Sequence, residues 1–225
     1  HGHDDAATAE EPPDEGPDED DDDDEGDDEE RATTLVGTNQ FMHVWGSEFD
    51  VGRGASRLVG AVETLPFYDA SCDAITSFNA VHHFDLARFA SEASRVLTPS
   101  GFLVLYTRTA EQNRDTIWGR YFPEFAARET RLHSVSAFRR ALDATHAFTS
   151  VRVQSIPWRV TTALSRLVEQ VAAYHYSTFR FYSPSGLQTA LDTFQTRVRD
   201  VFSDCSRITF DNDHLLVVAQ RAASV

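Results

Sequence analysis

The sequence predicts an α/β domain built on a mostly parallel sheet, and three observations predict it. Ala74-Ile75-Thr76-Ser77-Phe78 is a short run of strand-forming residues. Residues 85–97 then place Leu86, Phe89, Ala90, Ala93, Val96 and Leu97 at intervals of three, four and seven, the spacing of one apolar helical face. Phe102-Leu103-Val104-Leu105-Tyr106 follows as an unbroken apolar run of buried-strand type. Strand, helix and strand within about 35 residues make a βαβ unit, which implies parallel strands and a right-handed crossover.

Residues 1–30 carry 18 of the 36 acidic residues and no basic one, including the run Asp18 to Glu25. Such a stretch repels itself and has little apolar surface to bury, so residues 1–32 read as a disordered acidic tail. It serves as a solubilising extension or as a docking arm for a basic protein partner. Deleting residues 1–30 is expected to leave the melting temperature of the remainder within a few degrees; loss of cooperative unfolding on truncation would refute this.

Residues 33–225 read as one domain. Tyr68-Asp69-Ala70-Ser71 is a turn before the first strand, and Thr98-Pro99-Ser100-Gly101 stops the helix. Residues 135–144 form a helix with Val135, Phe138, Ala141 and Leu142 on one face. Thr149 to Ile156 alternates as a strand ended by Pro157. Residues 160–203 are largely helical, broken at Ser183-Pro184-Ser185-Gly186, and constitute a helical insertion over 160–205. His214 to Ala219 is the last strand.

The formal charge of −16 resides in the tail; the remainder, with 18 acids against 20 arginines, is near neutral. A near-neutral body behind a repelling tail argues against nucleic acid as a partner. No apolar run reaches the roughly 18–20 residues of a membrane span. Cys72 and Cys205 are far apart and form no CxxC, which fits free thiols in a cytoplasmic protein. Metal-ligand spacing, a P-loop and a nucleophile elbow are all lacking.

Gly60-Ala61-Val62-Glu63-Thr64-Leu65-Pro66-Phe67, followed by Asp69-Ala70-Ser71-Cys72-Asp73-Ala74-Ile75, resembles the type 11 class I methyltransferases, whose pattern is G-D-A-E-x-L-P-F and then D-x-S-F-D-x-[IV]. Ala80-Val81-His82-His83-Phe84 is similar to that family's A-x-H-H-F. Glu92 to Gly101 is similar to its E-x-x-R-V-L-K-P-G-G. Each match is weak alone, but the four occur in order and at the right spacing.

The resemblance implies a Rossmann-like three-layer sandwich and S-adenosyl-L-methionine as cofactor, with methyl transfer to a small-molecule substrate. It implies cofactor-binding positions at Asp50, Gly52, Gly54, Ala61, Val62, Glu63, Phe78, Asn79 and His83. Ala61 stands where the family has an acid that contacts adenine, and Glu63 is the acid that remains nearby.

The upstream half departs further. Phe49-Asp50-Val51-Gly52-Arg53-Gly54-Ala55-Ser56 resembles the family's glycine loop, with Ser56 at the third glycine. Only Arg57 to Val59 then precede Gly60, where the family has a helix and a strand of about 40–50 residues. Alternatively, Arg57-Leu58-Val59 is itself the third strand and the glycine loop is absent. Under either reading the N-terminal strands are partly missing and the ribose-binding acid has no candidate. Residues 31–48 match no motif.

His82 and His83 are candidate catalytic residues, since imidazole titrates near neutral pH; the plainer reading packs one under the loop and sets the other against cofactor. Tyr106, at a strand end, is a weaker candidate. Arg114, Arg120, Arg128 and Arg131, with Trp118, Tyr121 and Phe122, either bind an acidic or aromatic substrate or are surface arginines over an aromatic core. Tyr174 to Tyr182 either caps a substrate pocket or packs on the sheet. The rival to an enzyme is a catalytically impaired pseudo-methyltransferase that binds a protein through its tail or helical insertion.

Overall fold

The computed structural model describes residues 60–223. The acidic tail, the glycine-loop candidates Asp50, Gly52 and Gly54, and any strand upstream of Gly60 lie outside the described residues.

β1 (Cys72–Phe78) and β2 (Leu97–Thr107) are joined by α1 (Leu86–Val96) and pair in parallel, Ala74 opposite Phe102 through Phe78 opposite Tyr106. The βαβ unit is therefore as predicted. Residues 98–101, expected to separate helix from strand, instead form an irregularity within β2. Leu97 pairs with Cys72, and the register resumes at Phe102. Ser100 takes a positive φ of 67° there. A Cβ on Gly101 would lie 2.9 Å from the Thr98 carbonyl oxygen and 3.0 Å from that of Asp73, so the close approach requires glycine.

After β2 come three short helices, α2 (Ala110–Asp115), α3 (Ile117–Tyr121) and α4 (Phe125–Arg128), and then α5 (Val135–Asp143). The chain continues through β3 (Phe148–Thr162), α6 (Leu164–Ala172), a 3₁₀ turn at Ser177–Phe181, α7 (Pro184–Val201) and β4 (Ile208–Arg221). The strand order is β1-β2-β4-β3, with β4 antiparallel to both neighbours. Three of the four described strands thus share one direction, while their pairings are mixed.

Two boundaries differ from expectation for one reason. β3 runs on through Pro157, which pairs with Asp213, to Thr162 opposite Ile208. Among the described strands β3 is an edge strand, so a missing N–H there need not cost a ladder bond. The resulting two-stranded ribbon lengthens β4 well beyond residues 214–219. It also makes residues 160–162 strand rather than helix. The break at Ser183–Gly186 proves to be a helix start, with Ser183 accepting from the Gly186 N–H and Pro184 at the first helical position.

Two apolar cores result. The first lies between the sheet and the helices α1 and α5: Phe89, Ala90, Ala93 and Val96 of α1 and Phe138 and Leu142 of α5 meet Ile75, Leu103, Leu105, Val217 and Ala219. Asp85 caps α1 by accepting from the Arg88 N–H, and Ser134 caps α5 in the same manner. The second core is aromatic and is formed by α3, α4, α6, α7 and the turn at Ser177–Phe181. Trp118 sits at its centre, in ring contact with Phe122, Phe125, Tyr176, Phe179 and Phe194. Among the described residues no helix is long and apolar enough to cross a membrane, and no cluster of His, Cys, Asp and Glu is suited to a metal ion.

Candidate active site at the carboxyl edge of the sheet

In open α/β sheets ligands bind beyond the carboxyl ends of the strands. β1 ends there in an abrupt turn. Asn79 adopts a positive φ of 50°, and its N–H donates to the Tyr106 carbonyl at 2.7 Å, tying the turn to β2. A 3₁₀ turn at Val81–His83 follows, anchored by the fully buried Val81. This lifts His82 and His83 to the sheet edge, where their rings lie 4.1 Å apart.

The segment 60–69 is held against this turn by carboxylates. Glu63 Oε1 accepts from the Asp85 N–H at 3.0 Å, joining the segment to the start of α1. Glu92 and Arg95 of α1 form a clamp. Glu92 accepts from the Leu65 N–H at 2.6 Å, and Arg95 donates to the Leu65 and Phe67 carbonyls and to Asp69 and Glu92. The hydrogen bond from Arg95 holds the Glu92 carboxyl below its ordinary range. The E-x-x-R element is thus a brace for the loop before β1.

Of the expected site residues, Glu63, Phe78, Asn79 and His83 flank the ends of β1 and the turn after it. Ala61 is exposed and offers no polar side chain, and Val62 turns its side chain into the sheet core.

The histidines face an ion pair. Arg131 Nη1 lies 3.2 Å from His83 Nδ1, and its Nη2 donates to Ser177 Oγ at 2.9 Å. Arg131 is paired with the buried Glu129, which also accepts from Thr178 Oγ1 at 2.6 Å. Burial pushes the Glu129 carboxyl up, but its bonds to Arg131 and Thr178 outweigh this and the net shift is downward. Arg131 can only donate, so His83 Nδ1 accepts and the neutral ring carries its proton on Nε2. Burial, followed by the Arg131 charge, lowers the His83 pKa. Burial, then His83 and Arg131, lowers that of His82 to about 4. Both rings are neutral near pH 7.

The other arginines divide differently. Arg114 and Arg120 are exposed and pair with Glu111 and Asp115. Arg128 pairs with Glu124 and lies over the Tyr182 ring. Trp118 and Phe122 belong to the aromatic core. Tyr106, a weak candidate from sequence, stacks on His214 with ring centroids 4.5 Å apart and planes 8° apart. Sequence reasoning passed over Glu129, Arg108 and His214. The last two are polar residues inside or just past strand runs, and that position was the available signal.

Residues 36–105 match the family described as methyltransferase domain, type 11. Proteins described as uncharacterized methyltransferases, from Mycobacterium bovis and Mycobacterium tuberculosis, are each 29% identical over 119 residues, 53% of this chain and 46% of theirs. Residues 36–105 are thus similar to a methyltransferase domain. The family match takes in residues 36–48, for which motifs alone gave no assignment. A solved structure from Anabaena variabilis, described as a methyltransferase from an antibiotic biosynthesis pathway, is 20% identical. It covers 75% of this chain and 74% of its own with a TM-score of 0.56, and it shares the methyltransferase fold. The chain spans about half the length of the curated methyltransferases it matches.

Proposed function

We propose that this chain transfers a methyl group from S-adenosyl-L-methionine to a small-molecule acceptor. The observation that carries the reading is the neutral histidine turn at the carboxyl edge. Burial keeps His82 and His83 uncharged, and Glu129 balances Arg131 beside them. This turn, as distinct from the end of β2 where Arg108 lies, presents no imidazolium to repel a sulfonium, so the residues of the turn fit the cofactor.

When bound, the cofactor supplies an electrophilic methyl group. Phe78, Asn79 and the turn to His83 would hold its methionine part. The second carboxylate oxygen of Glu63, which makes no hydrogen bond among the described residues, would accept from a polar group of the nucleoside. Ala61 and Val62 contribute backbone. The upstream positions Asp50, Gly52 and Gly54 complete the site in the family pattern.

His82, with a pKa near 4, is a poor general base at neutral pH. His83 has its basic nitrogen engaged by Arg131. The geometry therefore favours orientation of the acceptor over proton removal, and in-line positioning is what methyl transfer chiefly requires. The acceptor, by this reading, is a small molecule of the cytoplasm rather than a nucleic acid or a membrane surface, and the acidic tail would dock a basic protein.

Ala61, exposed where the family has an acid, favours the second reading, an impaired pseudo-methyltransferase serving as an interaction module. Isothermal titration with S-adenosylhomocysteine separates the two. The expected dissociation constant is weak, near millimolar, or about −4 kcal/mol, because the adenine acid and the usual ribose acid are missing. Micromolar binding would show that residues before Gly60 rebuild the site. No binding at millimolar concentration would overturn methyl transfer.

A further inference from the structure

Arg108 immediately follows β2 at the same edge where Asn79 follows β1. It is 7% exposed, yet it takes part in none of the ion pairs of the described residues. Arg131 is less buried and is neutralised by Glu129. A buried guanidinium without a carboxylate is costly unless another anion completes it.

Its present partners do not suffice. Arg108 Nη2 lies 2.8 Å from His214 Nε2, and the guanidinium carbon sits 5.6 Å from the centre of the Tyr176 ring. Nη1 is buried with no hydrogen-bond partner. Because arginine can only donate, His214 Nε2 accepts and its proton resides on Nδ1, a second buried donor without a partner. The same edge therefore holds two buried donor nitrogens without a hydrogen-bond partner and, among the described residues, one positive charge without an ion-pair partner.

The surroundings are aromatic. Strand alternation puts Tyr106 and His214 on the sheet face opposite the first core, and the Trp158 ring lies 4.6 Å from that of His214. Tyr106 also contacts Phe78 at 5.9 Å, which connects this cluster to the turn assigned to the cofactor.

We propose that Arg108 anchors an oxyanion, a carboxylate or phosphate, carried by an aromatic methyl acceptor. This rests on the methyl-transfer reading of the same sheet edge. His214 is a positioning residue: it holds one arm of the guanidinium, leaving Nη1 for the ligand. The planar fork of arginine suits two oxygens of one group.

Calorimetry on the full chain tests the proposal with phenylacetate, phenyl phosphate and the neutral phenylacetamide, with and without S-adenosylhomocysteine. At least one of the two anions is expected to bind about ten-fold or more tighter than the amide. Whichever anion leads distinguishes carboxylate from phosphate. Arg108→Met should abolish that preference while leaving S-adenosylhomocysteine affinity unchanged, and Arg108→Lys should retain part of it. Equal binding of all three probes by the unaltered chain, or a preference that survives Arg108→Met, would overturn the proposal. Failure of S-adenosylhomocysteine to bind would instead sink the methyl-transfer reading, and the anion preference stays measurable without it. The comparison on the unaltered chain decides the matter even if the methionine variant does not fold.

Discussion

Phe194→Ala is expected to lower the unfolding free energy by about 3–5 kcal/mol, the usual cost of emptying an aromatic site in a closed core. Phe194 is fully buried, stacked on Trp118 with ring centroids 5.0 Å apart and 5.5 Å from the Phe122 ring. These are large, stiff side chains tied into several ring contacts, so the cavity collapses poorly. Val201→Ala, near the end of the same helix and 57% exposed, serves as the control and should change stability by under about 0.5 kcal/mol. Urea titrations followed by tryptophan fluorescence and far-ultraviolet circular dichroism measure both variants. A loss below about 1 kcal/mol for Phe194→Ala would contradict the packing of the second core.

The second large effect is a loss of stability on mild acidification, traced to His214. Its imidazole is 1% exposed, and burial first, then the Arg108 charge, pushes its pKa down to about 4, with Asp213 opposing. In the unfolded chain the value returns to about 6.5. Above that pH both states hold the ring neutral and it contributes no pH dependence. Between about 6.5 and 4 the unfolded chain binds a proton that the folded chain refuses, so stability falls as pH falls. At about 1.4 kcal/mol per pH unit, His214 alone accounts for about 2 kcal/mol between pH 7 and pH 5. His82 acts in the same direction. Lower still, Glu129 and Glu92, whose pKa values are lowered in the folded state, add to the loss. His214→Gln retains a polar side chain and removes the titration, so its loss between pH 7 and pH 5 should be smaller by about 2 kcal/mol. Identical pH slopes for the two proteins would refute the assignment.

Both effects belong to regions where local pattern was least informative. The βαβ unit at Cys72–Thr107 was legible because periodicity reports burial directly. Alternating and 3.6-residue spacings of Ile75, Phe89, Ala93, Leu103 and Leu105 leave one face each, and those faces can only meet in a layer. The candidate cofactor turn was legible for a different reason. Its motif residues are contiguous, and Glu92 and Arg95 are spaced along a single helix to grip the loop before β1.

The extent of β3 and β4 was not legible. Pro157 signals a strand end wherever ladder bonds run on both sides, and only sheet order shows that β3 has a neighbour on one side among the described strands. Nor was the pairing of Arg131 with His83 and Glu129, since residues 46 or more positions from the turn come to it through a loop without motif.

By itself, then, the sequence determined the parallel strand–helix–strand unit, the separation of acid into the first 30 residues, and the family that residues 36–105 resemble. These follow from periodicity, composition and contiguous motif, each a property of neighbours along the chain. Only the tertiary structure decided that both histidines are neutral, that Arg108 is buried without an ion-pair partner among the described residues, and that the aromatic residues of 117–125 and 176–194 form a second core. Charge state and burial depend on the low-dielectric surroundings made by residues distant in sequence, and His214, 106 residues from Arg108, is the clearest instance.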